Sequence, residues 1–309
     1  ATKFRIHCLL SPVPCLLSPT DCPPRPTFAA VLHPGMCYTA RMFDAHTHMQ
    51  DARFDACRAA LLEAAAAAGV TGLCTCGTAP DDWDGVAQLA ADTTAPVTIL
   101  PAFGVHPWYA DNLPSDWPDR LDACLRAHPG AAVGEIGIDG LRRDLDPVAQ
   151  RNNFIVQLEL AVRHQRTVVV HGARCWGSLA DLLQPYAARL PGIVLHAFAA
   201  SEALIRRFHD LGAYFSFAGS VCNPNARRVR AAAAAVPPDR LLIETDTPDI
   251  LPPGGQPVSA VPHDPPLNQP ANLPLVAQAV AHIRGLDVAE AGVVVERNAR
   301  RVYGLGEPT

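Results

Sequence analysis

Two histidines stand two residues apart in Asp44-Ala45-His46-Thr47-His48. On an extended strand positions i and i+2 share a face, so both imidazoles can grip one cation. Further residues of ligand type recur down the chain, each where a β-branched or apolar run stops. They are Glu135, between glycines in Val133-Gly134-Glu135-Ile136-Gly137, then His171, His196, and Asp246 in Glu244-Thr245-Asp246-Thr247-Pro248. One histidine at a strand end is more often a hydrogen-bonded structural group than a ligand, and one HxH is weak evidence. The shared position changes that balance, because His164, His209 and His282 fall inside helical patterns instead. Six ligands exceed the three or four that a single catalytic ion uses, which points to two divalent ions with a shared bridge. A lysine-derived bridge is excluded, since the sole lysine of the chain is Lys3. The bridge is then a carboxylate, Glu135, with His46, His48 and Asp246 on one ion and His171 and His196 on the other. Imidazole and carboxylate without thiolate suit Zn²⁺, Mn²⁺, Fe²⁺ or Ni²⁺, and Mg²⁺ more weakly.

The elements that must position these groups are legible as an alternation. Strand patterns occur at 42–46, 70–75, 97–103, 132–136, 167–171, 193–196, 213–217 and 241–244. Helical patterns fill the intervals near 52–68, 83–91, 115–128, 146–165, 176–189, 201–211 and 224–235, and two more close the chain near 272–284 and 287–302. Such alternation indicates parallel βα units. Eight of them after residue 42 match a (β/α)8 TIM barrel, and no GxGxxG or GxxxxGK[ST] follows any strand to suggest a dinucleotide or P-loop fold. In such barrels the chemistry sits where strands end and βα loops begin, which is where the six residues fall.

Composition bounds the rest. With 49% apolar residues and 18% charged in 309, the chain can bury a large core, and no run approaches a membrane span. Net charge is −5, and residues 1–41 carry Lys3, Arg5, Arg25 and Arg41 against Asp21, so the remainder stands at −8. That balance argues against a broad basic face for duplex DNA and leaves room for a local basic strip near an active site. Residues 1–41 also hold seven prolines and no periodicity, which reads as a disordered or irregular, dispensable extension ahead of a working domain at 42–309. No targeting signal is convincing, so a cytoplasmic location is expected, with no membrane and no obligate protein partner. The ten cysteines form no CxxC pair and read as reduced, mostly packed thiols; Cys74 and Cys76 alternate along one strand. The proline-rich segment 249–269 follows the last strand and is a possible lid over the barrel mouth.

Taken together, several motifs resemble the TatD-type metal-dependent deoxyribonucleases of the amidohydrolase superfamily. They are Phe43-Asp44-Ala45-His46-Thr47-His48, Gly104-Val105-His106-Pro107-Trp108, Gly134-Glu135-Ile136-Gly137-Ile138-Asp139, Val170-His171, Leu195-His196, Ile243-Glu244-Thr245-Asp246-Thr247-Pro248, Asn268-Gln269-Pro270-Ala271-Asn272 and Asn298-Ala299-Arg300-Arg301. The resemblance spans 42–306 in the family's order. It implies a TIM barrel with two metal ions that hydrolyses DNA phosphodiester bonds, as a 3′–5′ exonuclease on single strands or frayed ends. It assigns the same six ligands as the residues themselves do, and places His106 against substrate phosphate. Asp246 becomes the group that orients water and takes its proton, while Arg174 and Arg143, on loops after the fifth and fourth strands, are candidates to offset phosphoryl charge. The chain departs from the family at substrate-facing positions, reading His171-Gly172-Ala173-Arg174-Cys175 where His-Ser-Arg-Asp-Ala is usual. Two alternatives therefore stand beside the nuclease: an amidase, lactonase or aminoacyl-ester hydrolase using the same centre, and a metal-binding scaffold without turnover.

Overall fold

A computed structural model describes residues 41–306. Strands and helices alternate as β1 (Met42–Thr47), α1 (Arg58–Ala67), β2 (Val70–Cys76), α2 (Trp83–Ala91), β3 (Thr98–Phe103), α3 (Trp117–Ala127), β4 (Ala132–Asp139), α4 (Pro147–His164), β5 (Val168–Ala173), α5 (Trp176–Ala187), β6 (Ile193–Leu195), α6 (Glu202–Asp210), β7 (Ala213–Phe217), α7 (Arg227–Ala235) and β8 (Leu241–Ile243). Two further helices follow, α8 (Leu273–Arg284) and α9 (Val288–Tyr303). The eight strands pair in chain order, each parallel to the next. The ring is drawn shut just beyond β8, where Thr47 bridges Thr247, the His48 N–H donates to the Thr247 carbonyl at 2.6 Å and the Asp246 N–H to that of His46 at 3.1 Å. This is the (β/α)8 barrel expected from the sequence. The expected extension, apart from Arg41, lies outside the described residues.

Period-two alternation divides the strand side chains between two cores. Phe43, Ala45, Cys74, Cys76, Leu100, Ala132, Val169, Val194 and Leu242 fill the barrel, and Ala299, Val302 and Tyr303 of α9 plug its lower end. The Tyr303 hydroxyl donates to the Ala45 carbonyl at 2.7 Å, and the Thr167 hydroxyl to that of Val302 at 2.6 Å. Val168 and Val170 face the other way, joining Leu121, Leu125, Phe154, Leu158, Leu179 and Leu183 of the helical layer. Cys74 and Cys76 are free thiols in the inner core, so their alternation serves packing.

Local chemistry sets the helix ends. Asp146 caps α4, accepting from the Val148 N–H at 2.8 Å ahead of Pro147 in the first turn. Asp287 and Glu290 form a capping box on α9, which stops at Gly304 with φ of 66°. The proline-rich segment 249–269 contains no helix or strand. Its Val258 and Leu267 are buried with Met49, Phe54, Leu61 and Leu62, which ties the expected lid to the α1 flank of the barrel. No helix among the described residues is long and apolar enough to cross a membrane.

Candidate metal centre at the barrel mouth

Parallel strands bring their carboxyl ends to one rim, and there the six residues singled out from the sequence meet. β1 supplies His46, and His48 follows directly after its end; their Nε2 atoms approach to 3.1 Å. Glu135, nearly fully buried on β4, lies at the centre with its two oxygens facing different partners. Oε2 is 3.3 Å from Nε2 of both His46 and His48. Oε1 is 3.0 Å from His171 Nδ1, 3.1 Å from His196 Nε2 and 3.4 Å from His106 Nε2. Asp246 reaches the β1 pair, its Oδ1 3.3 Å from His46 Nε2 and 3.8 Å from His48 Nε2. It sits in the left-handed region, with φ of 56°, at the turn that leaves β8. Arg174, with φ of 52°, and Arg143 are exposed, and neither is drawn into this cluster.

Close strand approach makes this convergence possible. A side chain at Gly134 would strike Val169 Cβ at 2.8 Å, and one at Gly137, where φ is 149°, would collide with the His171 carbonyl oxygen.

Charge and burial act against one another here. Burial pushes the Glu135 carboxyl up, but the imidazoles of His196, His106 and His46 outweigh it and hold that carboxyl well below the usual range. Asp246 is held down in the same way, against its burial, by His46, His196 and His48. For His48 burial acts to lower the imidazole, yet Glu135 and Asp246 raise it to about 9. For His106 burial prevails and lowers it to about 4.

Hydrogen bonds on the outer nitrogens of His48 and His196 fix which ring atom each presents, while His46 Nδ1 is buried without a partner. His48 Nδ1 donates to the Cys76 carbonyl at 2.7 Å, and His196 Nδ1 faces Glu244 Oε1 at 3.2 Å. The Nε2 atoms of His48 and His196, when the rings are neutral, then carry lone pairs aimed at carboxylate oxygens. Lone pairs facing anions in a buried site with no arginine or lysine in the cluster call for a cation between them, and the donor set fits a divalent metal. Three trios of ligand atoms, His46/His48/Glu135, His46/His196/Asp246 and His106/Glu135/His171, each fall within a 4.8 Å span. His106 differs from His48 and His196 in tautomer. Its Nδ1 accepts the Trp108 N–H at 3.2 Å, so its proton sits on Nε2 and that atom donates.

Three carboxylates escaped sequence reasoning. Glu244 accepts both from His196 and from the Ala197 N–H at 2.6 Å, while its other oxygen is buried without a partner. Asp139 Oδ2 faces His171 Nε2 at 3.3 Å and accepts the Trp108 indole N–H at 2.6 Å; its Oδ1 accepts the Leu141 N–H at 2.7 Å. Burial would raise the Asp139 carboxyl, but its bonds to His171, Trp108 and Leu141 hold it far below the usual range. Both residues stand inside motifs already quoted, but far along the chain from the histidines they hold. Asp44 is a third such group, a buried latch whose oxygens accept the Thr245 N–H at 2.9 Å and hydroxyl at 2.6 Å, tying β1 to the segment that carries Asp246.

An eight-stranded parallel barrel with histidines and carboxylates converging at the carboxyl ends of its strands defines a metal-dependent hydrolase of the TIM-barrel class. Comparison with known proteins narrows this further. The family model TatD related DNase matches residues 43–304, and the chain belongs to that family. It is 33% identical over 278 residues to an uncharacterized metal-dependent hydrolase TatD of Mycobacterium tuberculosis, covering 86% of this chain and 98% of that protein. It is 32% identical over 267 residues to the 3′-5′ ssDNA/RNA exonuclease TatD of Dickeya dadantii, covering 86% and 99%. Among solved structures, the TatD homologue YJJV of Escherichia coli superposes with a TM-score of 0.78 at 27% identity, over 86% of this chain and 99% of that one.

Proposed function

We propose that the chain is a divalent-metal-dependent 3′–5′ exonuclease that hydrolyses phosphodiester bonds at the ends of single-stranded DNA, with the catalytic machinery in residues 42–309. The split carboxylate of Glu135 carries this reading. One oxygen turns to His46 and His48 and the other to His171 and His196, an arrangement that suits a residue shared between two ions. His46, His48 and Asp246 would hold one ion, His171 and His196 the other, and Glu135 both. Ions bound there supply Lewis acidity, lowering the pKa of water and offsetting charge on the phosphoryl oxygens.

The residues of the chain do the rest. Asp246, its carboxylate kept ionised by the surrounding imidazoles, orients the attacking water and accepts its proton. His106 is the group built to touch a phosphoryl oxygen, because its Nε2–H is a donor and burial keeps the ring uncharged. Glu244 and Asp139 hold His196 and His171 by their far nitrogens. Free thiols throughout the described residues support a cytoplasmic site of action.

The test uses a 5′-labelled single-stranded oligonucleotide with metal-stripped protein, then with Mg²⁺, Mn²⁺ or Zn²⁺ restored, beside Asp246→Asn. Stepwise shortening that requires both metal and Asp246 is the expected result. Protein that binds two ions yet leaves DNA intact under every metal would redirect the reading to carbonyl esters and amides.

A further inference from the structure

Large apolar side chains are exposed at five places among the described residues: Trp108, Tyr109, Leu141, Val148 and Val293. Three of them form one patch beside the metal centre. Trp108 and Tyr109, each 48% exposed, occupy the turn that follows His106 after β3, and Leu141, 52% exposed, lies on the next loop, after β4. Asp139 ties the two loops together, accepting the Trp108 indole N–H through Oδ2 and the Leu141 backbone N–H through Oδ1.

The indole is held rather than loosely displayed. Its Nε1–H ends on the same carboxylate that faces His171, its backbone N–H on His106, and the Arg142 guanidinium lies 5.2 Å from its ring centre. Exposing an aromatic ring while fixing its orientation gives a flat surface with its ordering cost already met. The His106 ring is 5.1 Å from that of Trp108 and 6.5 Å from that of Tyr109, and His106 itself touches Glu135. The flat surface therefore begins beside the atoms where a scissile phosphate would lie.

Charge decides what kind of grip this surface offers. The chain is net negative, and Arg142, the guanidinium beside Trp108, is paired with Asp144 at 2.8 Å. Beyond the scissile phosphate itself, a polyanion drawn to this rim gains little from counterion release, which leaves room for contacts that do not depend on phosphate charge. Aromatic faces and a guanidinium plane supply such contacts with any unpaired base, whatever its sequence.

We propose that Trp108 and Tyr109, with the Arg142 guanidinium, form a stacking platform for the nucleobase of the nucleotide at the scissile linkage. This rests on the nuclease reading and specifies how it selects unpaired ends. Two measurements test it on the metal-loaded protein. The first compares kcat/KM for a single strand bearing a normal 3′-terminal nucleotide with one bearing an abasic 3′ end. Wild type favours the base by about ten-fold, and Trp108→Leu or Tyr109→Ala brings that ratio toward one, while Trp108→Phe, which keeps a stacking face, retains most of it. The second reads tryptophan emission with a hydrolysis-resistant phosphorothioate strand. Trp83, Trp117 and Trp176 are buried, so quenching reports on Trp108 and requires the terminal base. Rapid shortening with a ratio near one in wild type overturns the platform and leaves the nuclease reading intact. So does a ratio unchanged in both Trp108→Leu and Tyr109→Ala. Base-dependent quenching without cleavage supports the platform and removes the nuclease reading instead.

Discussion

Glu135 and Asp122 are both carboxylates ringed by histidine or arginine, yet only one of them sits at a chemical centre. Asp122, on α3, takes His164 Nε2 at 2.7 Å and Arg163 Nη1 at 3.4 Å from α4, and Arg126 one turn along its own helix. Two of its three partners are arginines, which can only donate and cannot ligate, and both are well exposed. Glu135 is surrounded by imidazoles from four different strand ends or loops, with no guanidinium among them. Asp122 is satisfied as it stands. At Glu135, the neutral rings of His48 and His196 turn lone pairs toward the carboxylate, and a cation completes the set. A carboxylate among basic side chains is therefore not a site by itself; what matters is whether its partners are saturated donors.

The sharpest way to break this comparison is Glu135→Gln. The amide keeps the shape but loses the charge that serves both halves of the cluster. Loss of kcat/KM on single-stranded DNA beyond ~10⁴-fold is expected, with metal content falling as well. Asp246→Asn should follow with a loss of ~10²–10⁴-fold while much of the metal remains, since its second role is to take a proton. Metal analysis beside steady-state kinetics separates the two. A Glu135→Gln protein with full metal and near wild-type turnover would erase the distinction drawn here.

Glu244→Gln tests the next layer. A neutral amide still accepts from Ala197 but no longer offers a charge to His196 Nδ1, so the apparent metal affinity should fall by about ten-fold. Excess metal should restore most of the rate, an outcome that a folding defect would not give. Calorimetric titration of metal into stripped protein measures it directly.

Much of this was legible in the sequence because the barrel converts strand ends into neighbours. Once eight βα units are recognised, His46, Glu135, His171, His196 and Asp246 must share a rim, whatever their separation along the chain. What escaped follows from particular residues. Gly137 reads as the end of the fourth strand at Ile136, but β4 runs on to Asp139, pairing Gly137 with His171 and Asp139 with Ala173. Only glycine permits that approach, given the His171 carbonyl against its missing Cβ. The extension carries Asp139 up beside His171, which is why its role was invisible from spacing. The helix expected over 52–68 begins only at Arg58, because Asp51 caps a separate 3-10 turn over Ala52–Phe54. Of the two adjacent arginines after β4, the structure brings Arg142 onto Trp108 and leaves Arg143 exposed, a difference that depends on loop geometry and not on pattern.

The smallest expected effect lies at the other pole of the comparison. Hydrogen bonding from His164, with the charges of Arg126 and Arg163, holds the Asp122 carboxyl below its usual value. A carboxyl whose folded pKa is depressed binds fewer protons folded than unfolded across the interval between the two values. Its stabilisation is therefore fully present above the unfolded carboxylate range, and it is lost as pH falls through the folded value. Asp122→Asn should lower Tm by no more than a few degrees at about pH 6, and the gap from wild type should close as pH drops below ~3. Because that ion pair is exposed, added salt should shrink the gap as well. Turnover should be unaffected, as Asp122 belongs to the α3/α4 layer and reaches none of the rim residues. A large loss of activity in this variant would mean that the outer helices and the metal centre are coupled after all, and the two carboxylates would then have to be treated as parts of one system.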